Sequence, residues 1–140
     1  MPAFETALEI HAAPQVVWDV LSRVTHWPDW TPTVTAVEAL TGPELRTGAQ
    51  FLIRQPRLRP AVWTVSSVTP GTEFTWQMSV PGVHASASHV VTDTGRGMSQ
   101  LKLQVVMTGM LAPLLWWLVG RLTRQYVVTE AESLKKYVER

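Results

Sequence analysis

The strongest constraint on this chain is a change of hydrophobic period at Gly109. Between Val34 and Thr108 the apolar residues alternate in six short runs divided by Pro/Gly-rich gaps. After Gly109 they recur every three to four residues as far as Tyr137. Period two is the mark of a half-buried strand, and period 3.6 that of an amphipathic helix. The runs are Val34–Leu40, Gln50–Gln55, Val62–Val68, Glu73–Val80, Val83–Thr92 and Met98–Thr108. The gaps between them are too short for a parallel crossover, which needs a dozen or more residues, so successive strands pair antiparallel. Pro70-Gly71, Pro81-Gly82 and Asp93-Thr94-Gly95-Arg96-Gly97 are the turn signals, with glycine supplying positive φ.

Upstream, Phe4–His11 alternates weakly and reads as a further strand. Pro14 suits the first turn of a helix, where its missing N–H costs nothing. Residues 14–24 place Val17, Val20, Leu21 and Val24 on one helical face. His26-Trp27-Pro28-Asp29-Trp30-Thr31-Pro32 is too rich in proline for more than a helical stub. Downstream, residues 111–138 read as one helix of roughly 42 Å. Leu111, Leu115, Leu118, Leu122, Tyr126 and Tyr137 share its broad apolar face, with Val119 and Leu134 toward the edge. Arg121, Arg124, Glu132, Lys135 and Glu139 lie away from it.

The expected architecture is therefore α+β: about seven antiparallel strands curved around a long C-terminal helix, with two short helices after the first strand. A one-sided sheet and a striped helix bury their apolar faces against each other. At 140 residues the chain is the size of a single domain, 1–140, able to fold without disulfides.

Composition removes several function classes. With no cysteine there is no disulfide framework, thiol catalysis or thiolate metal site. A net charge of +1 without a basic run argues against nucleic acid as a partner. The eighteen uncharged residues between Lys102 and Arg121 have the length of a membrane span. Their first part alternates, however, and Gly109 and Pro113 interrupt them, so the chain is expected not to be transmembrane. Met1–Ile10 carries Glu5 and Glu9 and no apolar run, which excludes a signal peptide there and points to the cytoplasm.

The residues Ile10-x-Ala12-x-Pro14-x-x-Val17-Trp18-x-x-Leu21, followed by Trp27-Pro28-x-Trp30-x-Pro32, resemble the opening of the START-like superfamily. That group includes Bet v 1-like proteins and bacterial polyketide cyclase/dehydrase-like proteins. The Pro81-Gly82 hairpin, the strand holding His89, the Gly95-x-Gly97 turn and Gly109 ahead of a long helix extend the resemblance over essentially the whole chain. The resemblance implies a helix-grip fold with an apolar cavity between sheet and helix. It implies neither a cofactor nor a metal.

Within that frame the cavity-facing residues follow from strand parity. His89 shares a face with Val83, Ala85, Ala87 and Val91, whereas His84, Ser86, Ser88 and Thr92 face away. His84 and His89 therefore cannot share a metal, and no zinc-binding motif occurs. His89 reads either as a core histidine satisfied by one hydrogen bond or as a polar anchor for a ligand. Phe74, Trp76, Met78 and Val80 form the inner face of their strand, and Trp63 and Val65 that of the preceding one. Rows such as these serve plain packing or line a pocket. Trp63, Trp76, Met78, His89, Leu103, Val105, Met107, Leu122 and Tyr126 are the expected ligand-binding residues. A buried phenol needs a partner, which makes Tyr126 and His89 the expected polar pair. No inward carboxylate is expected, which speaks against a hydrolase. Arg54, Arg57 and Arg59 read as a solvated basic hairpin.

The first functional expectation is binding or carriage of an apolar small molecule, such as a lipid, isoprenoid or polyketide. The alternative is a polyketide cyclase/aromatase-type enzyme in which His89 and Tyr126 steer proton transfers. A further one is an interaction domain of the Hsp90-activator-like kind. On the helix, Trp117 falls about 180° from Tyr126 at roughly 100° per residue. With Trp116, Leu114 and Pro113, beside Arg121 and Arg124, it is a candidate contact for a homodimer or a peripheral membrane surface. The competing expectation is that these first turns tuck beneath the Trp27–Trp30 segment.

Overall fold

The computed structural model describes residues 2–140. Strand β1 (Ala3–Ile10) leads into helix α1 (Pro14–Ser22) and a 3-10 stub over Val24–Asp29. Six strands follow: β2 (Ala36–Ala39), β3 (Gln50–Arg54), β4 (Ala61–Thr69), β5 (Glu73–Val80), β6 (Val83–Gly95) and β7 (Met98–Thr108). Helix α2 (Ala112–Glu139) completes the order. The seven strands form one antiparallel sheet in the order β1-β7-β6-β5-β4-β3-β2. This is the α+β helix-grip arrangement expected from the change of period. Among the described residues no helix is long and apolar enough to cross a membrane.

Alternation does what the sequence requires of it. On β6, Val83, Ala85, Ala87, His89 and Val91 are buried while the residues between them are not. Turn chemistry sets the corners. Gly82 closes the β5–β6 hairpin at φ 83, and the β6–β7 hairpin carries a bulge between Asp93 and Gly95. Gly109 has φ 109, and a Cβ there would collide with the Gly82 carbonyl. That carbonyl accepts the Leu111 N–H at 2.9 Å, so the close approach ties the start of α2 to the hairpin. Only glycine fits this corner.

Packing divides into two clusters. The larger joins α1, the stub and the sheet through Leu21, Trp27, Phe51, Phe74 and Leu101, and takes in Val127, Ala131 and Leu134 of α2. Fully buried side chains of this size contribute about 1.5–3 kcal/mol each. Trp27 also donates its indole N–H to the Leu21 carbonyl at 2.9 Å, which fixes the stub across α1. The smaller cluster gathers Ala85, Met107 and Ala112 beneath the first turns of α2.

One expectation about α2 needs correction. Leu111 and Leu118, placed on the buried face, are 47% and 62% exposed. The buried residues are Ala112, Gly120, Val127, Ala131 and Leu134. Their centre is turned by roughly 95° from Tyr126 at 100° per residue. Small residues allow this seat: Ala112 and Ala131 are buried in the two clusters, and Gly120 leaves room for the Trp116 ring one turn back on the same helix. Such residues barely register in a hydrophobic stripe, which the leucines dominate.

Candidate functional site

Between the two clusters lies a cavity of about 410 Å³. Strands of the sheet face it from one side and Leu115, Val119, Thr123, Val127 and Glu130 of α2 from the other, and both clusters contribute to its walls. Its volume lies within the range of small-molecule sites, roughly 300–1,000 Å³. Eight of the nine expected residues line it: Trp63, Trp76, Met78, His89, Leu103, Val105, Met107 and Tyr126. Leu122 does not. The turn of α2 puts Thr123 and Val119 toward the cavity and leaves Leu122 on the flank. Trp27, which was not among the expected ligand-binding residues, closes one wall.

His89 is 4% exposed and sits in an aromatic box. Its ring stacks on Phe74 at 4.1 Å and 7° and meets Trp76 edge-on at 5.4 Å. Nδ1 lies 3.3 Å from the Phe74 carbonyl. A carbonyl can only accept, so this nitrogen carries the proton and Nε2 is left as an acceptor. Burial holds the His89 pKa down at about 4, against the weaker opposing effect of that carbonyl. The ring is therefore neutral at pH 7.

The structure also corrects the expectation that no carboxylate points inward. Glu130, on the inner face of α2, lines the cavity with a side chain only 14% exposed. Its Oε1 stands 3.9 Å from His89 Nε2. Burial pushes its pKa up to about 8, so at neutral pH the contact joins a carboxylic acid and a neutral imidazole, not an ion pair. Among the described residues Oε1 has no hydrogen-bond partner. The signal for Glu130 was available, since it stands four residues beyond Tyr126 and so on the same stripe. Its charge at neutral pH in water hid it.

Tyr126 is not the partner of His89. Its hydroxyl donates to the Pro56 carbonyl on the β3–β4 loop. Tyr126 is thus a tether, holding over one side of the cavity a loop in which Arg57 adopts a left-handed φ of 66. Arg57, Leu58 and Arg59 of that loop also line the cavity, so the basic hairpin belongs to the site. His84 lies outside it, with Nδ1 2.8 Å from the Ser79 hydroxyl. Among the described residues no three His, Asp or Glu side chains gather as a metal site would require.

A curved seven-stranded sheet gripping a long helix across an apolar cavity defines the helix-grip class of the START/Bet v 1 superfamily. Within it, the chain belongs to the family described as polyketide cyclase / dehydrase and lipid transport, whose profile matches residues 1–139. Among solved structures it is similar to the XoxI protein of Bacillus cereus, with a TM-score of 0.80 at 15% identity, covering 99% of this chain and 96% of that one. It is also similar to norcoclaurine synthase of Thalictrum flavum, with a TM-score of 0.76 at 18% identity, covering 98% and 93%. The Zhui aromatase/cyclase of Streptomyces sp. R1128 gives a TM-score of 0.73 at 19% identity, covering 99% and 93%. At such identities the likeness is one of fold. A comparison with curated proteins finds no match.

Proposed function

We propose that the protein binds and carries an apolar small molecule in the cavity between its sheet and α2. One observation carries this reading: a space of about 410 Å³ walled by Trp63, Trp76, Met78, Leu103 and Met107, with the buried polar pair His89 and Glu130 facing into it. A well-packed interior has few voids larger than a water molecule, so a cavity of this size calls for an occupant. Native mass spectrometry of freshly purified protein tests it. A co-purified lipid- or polyketide-like mass is expected, and uniformly bare protein that also takes up no added apolar dye overturns the reading.

A second reading rests on the same polar end. A neutral imidazole nitrogen beside a protonated carboxyl is a base and an acid within reach of one substrate, the arrangement a cyclase or dehydratase needs for enolisation and loss of water. The aromatase/cyclase among the structural relatives agrees with it, and turnover of a poly-β-ketone substrate that is lost in Glu130→Gln would establish it.

The exposed end of α2 fits delivery of such cargo. Met110, Leu114, Trp117 and Leu118 are 91%, 55%, 79% and 62% exposed and form one apolar patch. Arg121, one turn on, is exposed beside it, while Arg124 is engaged over the Trp116 ring at 5.7 Å. Bulky apolar side chains next to a free cation match an anionic lipid surface. The patch is continuous with the cavity wall through Leu115 and Val119, so docking there brings the cargo close to the bilayer.

A further inference from the structure

We propose that the polar end of the cavity is a hydroxyl-recognition site, in which His89 Nε2 and the Glu130 carboxyl together select an apolar ligand carrying a phenol- or enol-type O–H. The proposal rests on the apolar-ligand reading and sharpens it from "apolar" to a defined chemistry.

The geometry makes the selection. His89 Nδ1 is committed to the Phe74 carbonyl, so Nε2 presents a lone pair and no proton. Glu130 comes from the opposite wall, on α2, and its Oε1 lacks a partner among the described residues. The two atoms are 3.9 Å apart, beyond the reach of a direct hydrogen bond. A single oxygen at about 2.8 Å from each would subtend roughly 90° between them, an acceptable hydrogen-bonding angle at a hydroxyl. That oxygen donates its proton to Nε2 and accepts from the acid. Glu130 can donate because burial keeps its carboxyl protonated up to about pH 8.

Other groups fit less well. A ketone or ether oxygen accepts from Glu130 and leaves Nε2 unpaired. A hydrocarbon leaves both unpaired, and a carboxylate, which has no proton to donate, leaves Nε2 unpaired as well. Trp27 and Trp76, whose rings lie 5.7 and 5.4 Å from that of His89, also line the cavity, which suits a flat unsaturated ring next to the hydroxyl.

Three probes of one shape test the idea: 2-naphthol, 2-methoxynaphthalene and 2-methylnaphthalene, titrated against tryptophan fluorescence. The hydroxyl compound should bind about tenfold more tightly than the methoxy compound, the worth of one good hydrogen bond, and the methyl compound should bind more weakly still. In the double variant His89→Phe/Glu130→Leu, checked for native circular dichroism, the three affinities should converge. Equal affinities in the wild-type protein would overturn the hydroxyl site and leave the apolar cavity standing. No binding by any probe, with no dye uptake, would remove the apolar-ligand reading as well.

Discussion

His89 Nε2 on β6 and Glu130 Oε1 on α2 face each other at 3.9 Å across the cavity, and burial keeps both uncharged at neutral pH. A sheet residue and a helix residue 41 positions apart thus share one dry environment that suppresses the charge of each. Arg57, Arg59 and Tyr126 are the other titratable groups lining the cavity, and Tyr126 is held by the Pro56 carbonyl.

This pair gives folding stability two opposed pH limbs. Folded Glu130 keeps its proton to about pH 8, whereas the unfolded chain releases it near 4.5, so its contribution is full below 4.5 and is lost as pH rises through 8. Folded His89 refuses a proton down to about pH 4, whereas the unfolded chain accepts one near 6.5, so its contribution is full above 6.5 and is lost as pH falls through 4. Glu130→Gln should remove the alkaline loss. Its stability relative to wild type should rise with pH across the interval from 4.5 to 8 by at most about 1.4 kcal/mol per pH unit, then level off. Urea titrations at closely spaced pH values measure this, and parallel wild-type and variant curves would contradict it.

Ala87 faces the cavity from β6, paired with Trp76 on one side and Val105 on the other. Ala87→Leu adds bulk where there is space to receive it. The melting temperature should hold or rise by a few degrees, as cavity filling commonly adds about 0.5–2 kcal/mol, while uptake of N-phenyl-1-naphthylamine disappears. Unchanged dye uptake would mean that the dye binds elsewhere.

Tyr126→Phe removes the tether to Pro56 without changing the packing of the ring. The global cost should be that of one hydrogen bond, about 0.5–1.5 kcal/mol. The local effect should be larger: trypsin nicking after Arg57 should quicken, and bound dye should leave faster in stopped-flow displacement. Nicking and release at wild-type rates would show that the loop is held by other contacts.

Trp117 is 79% exposed, so Trp117→Glu should leave stability within about 0.5 kcal/mol of wild type. Co-sedimentation with phosphatidylglycerol-containing vesicles should fall sharply. Wild-type protein that ignores such vesicles would refute the docking role. A dimer seen by light scattering and split by the same substitution would assign the patch to a second copy instead.

The sequence alone determined the architecture, because strand and helix periods are local properties read within a few residues. Parity on β6 placed His89 inward beside Ala85 and Ala87, and the change of period at Gly109 located the junction with α2 within a few residues. The glycine and proline turns set the antiparallel order, since such short gaps permit no other. Tertiary structure alone decided how α2 is rolled and what meets across the cavity. The roll depends on how the small buried residues Ala112 and Ala131 let the helix settle against its neighbours, a matter of packing that side-chain hydrophobicity does not encode. That roll carried Glu130 inward, moved Leu118 into solvent and gave the Tyr126 hydroxyl to Pro56 in place of His89. Whether a carboxyl is a charged surface group or a buried acid depends on the dielectric around it, and that is created only when distant segments close over the same space.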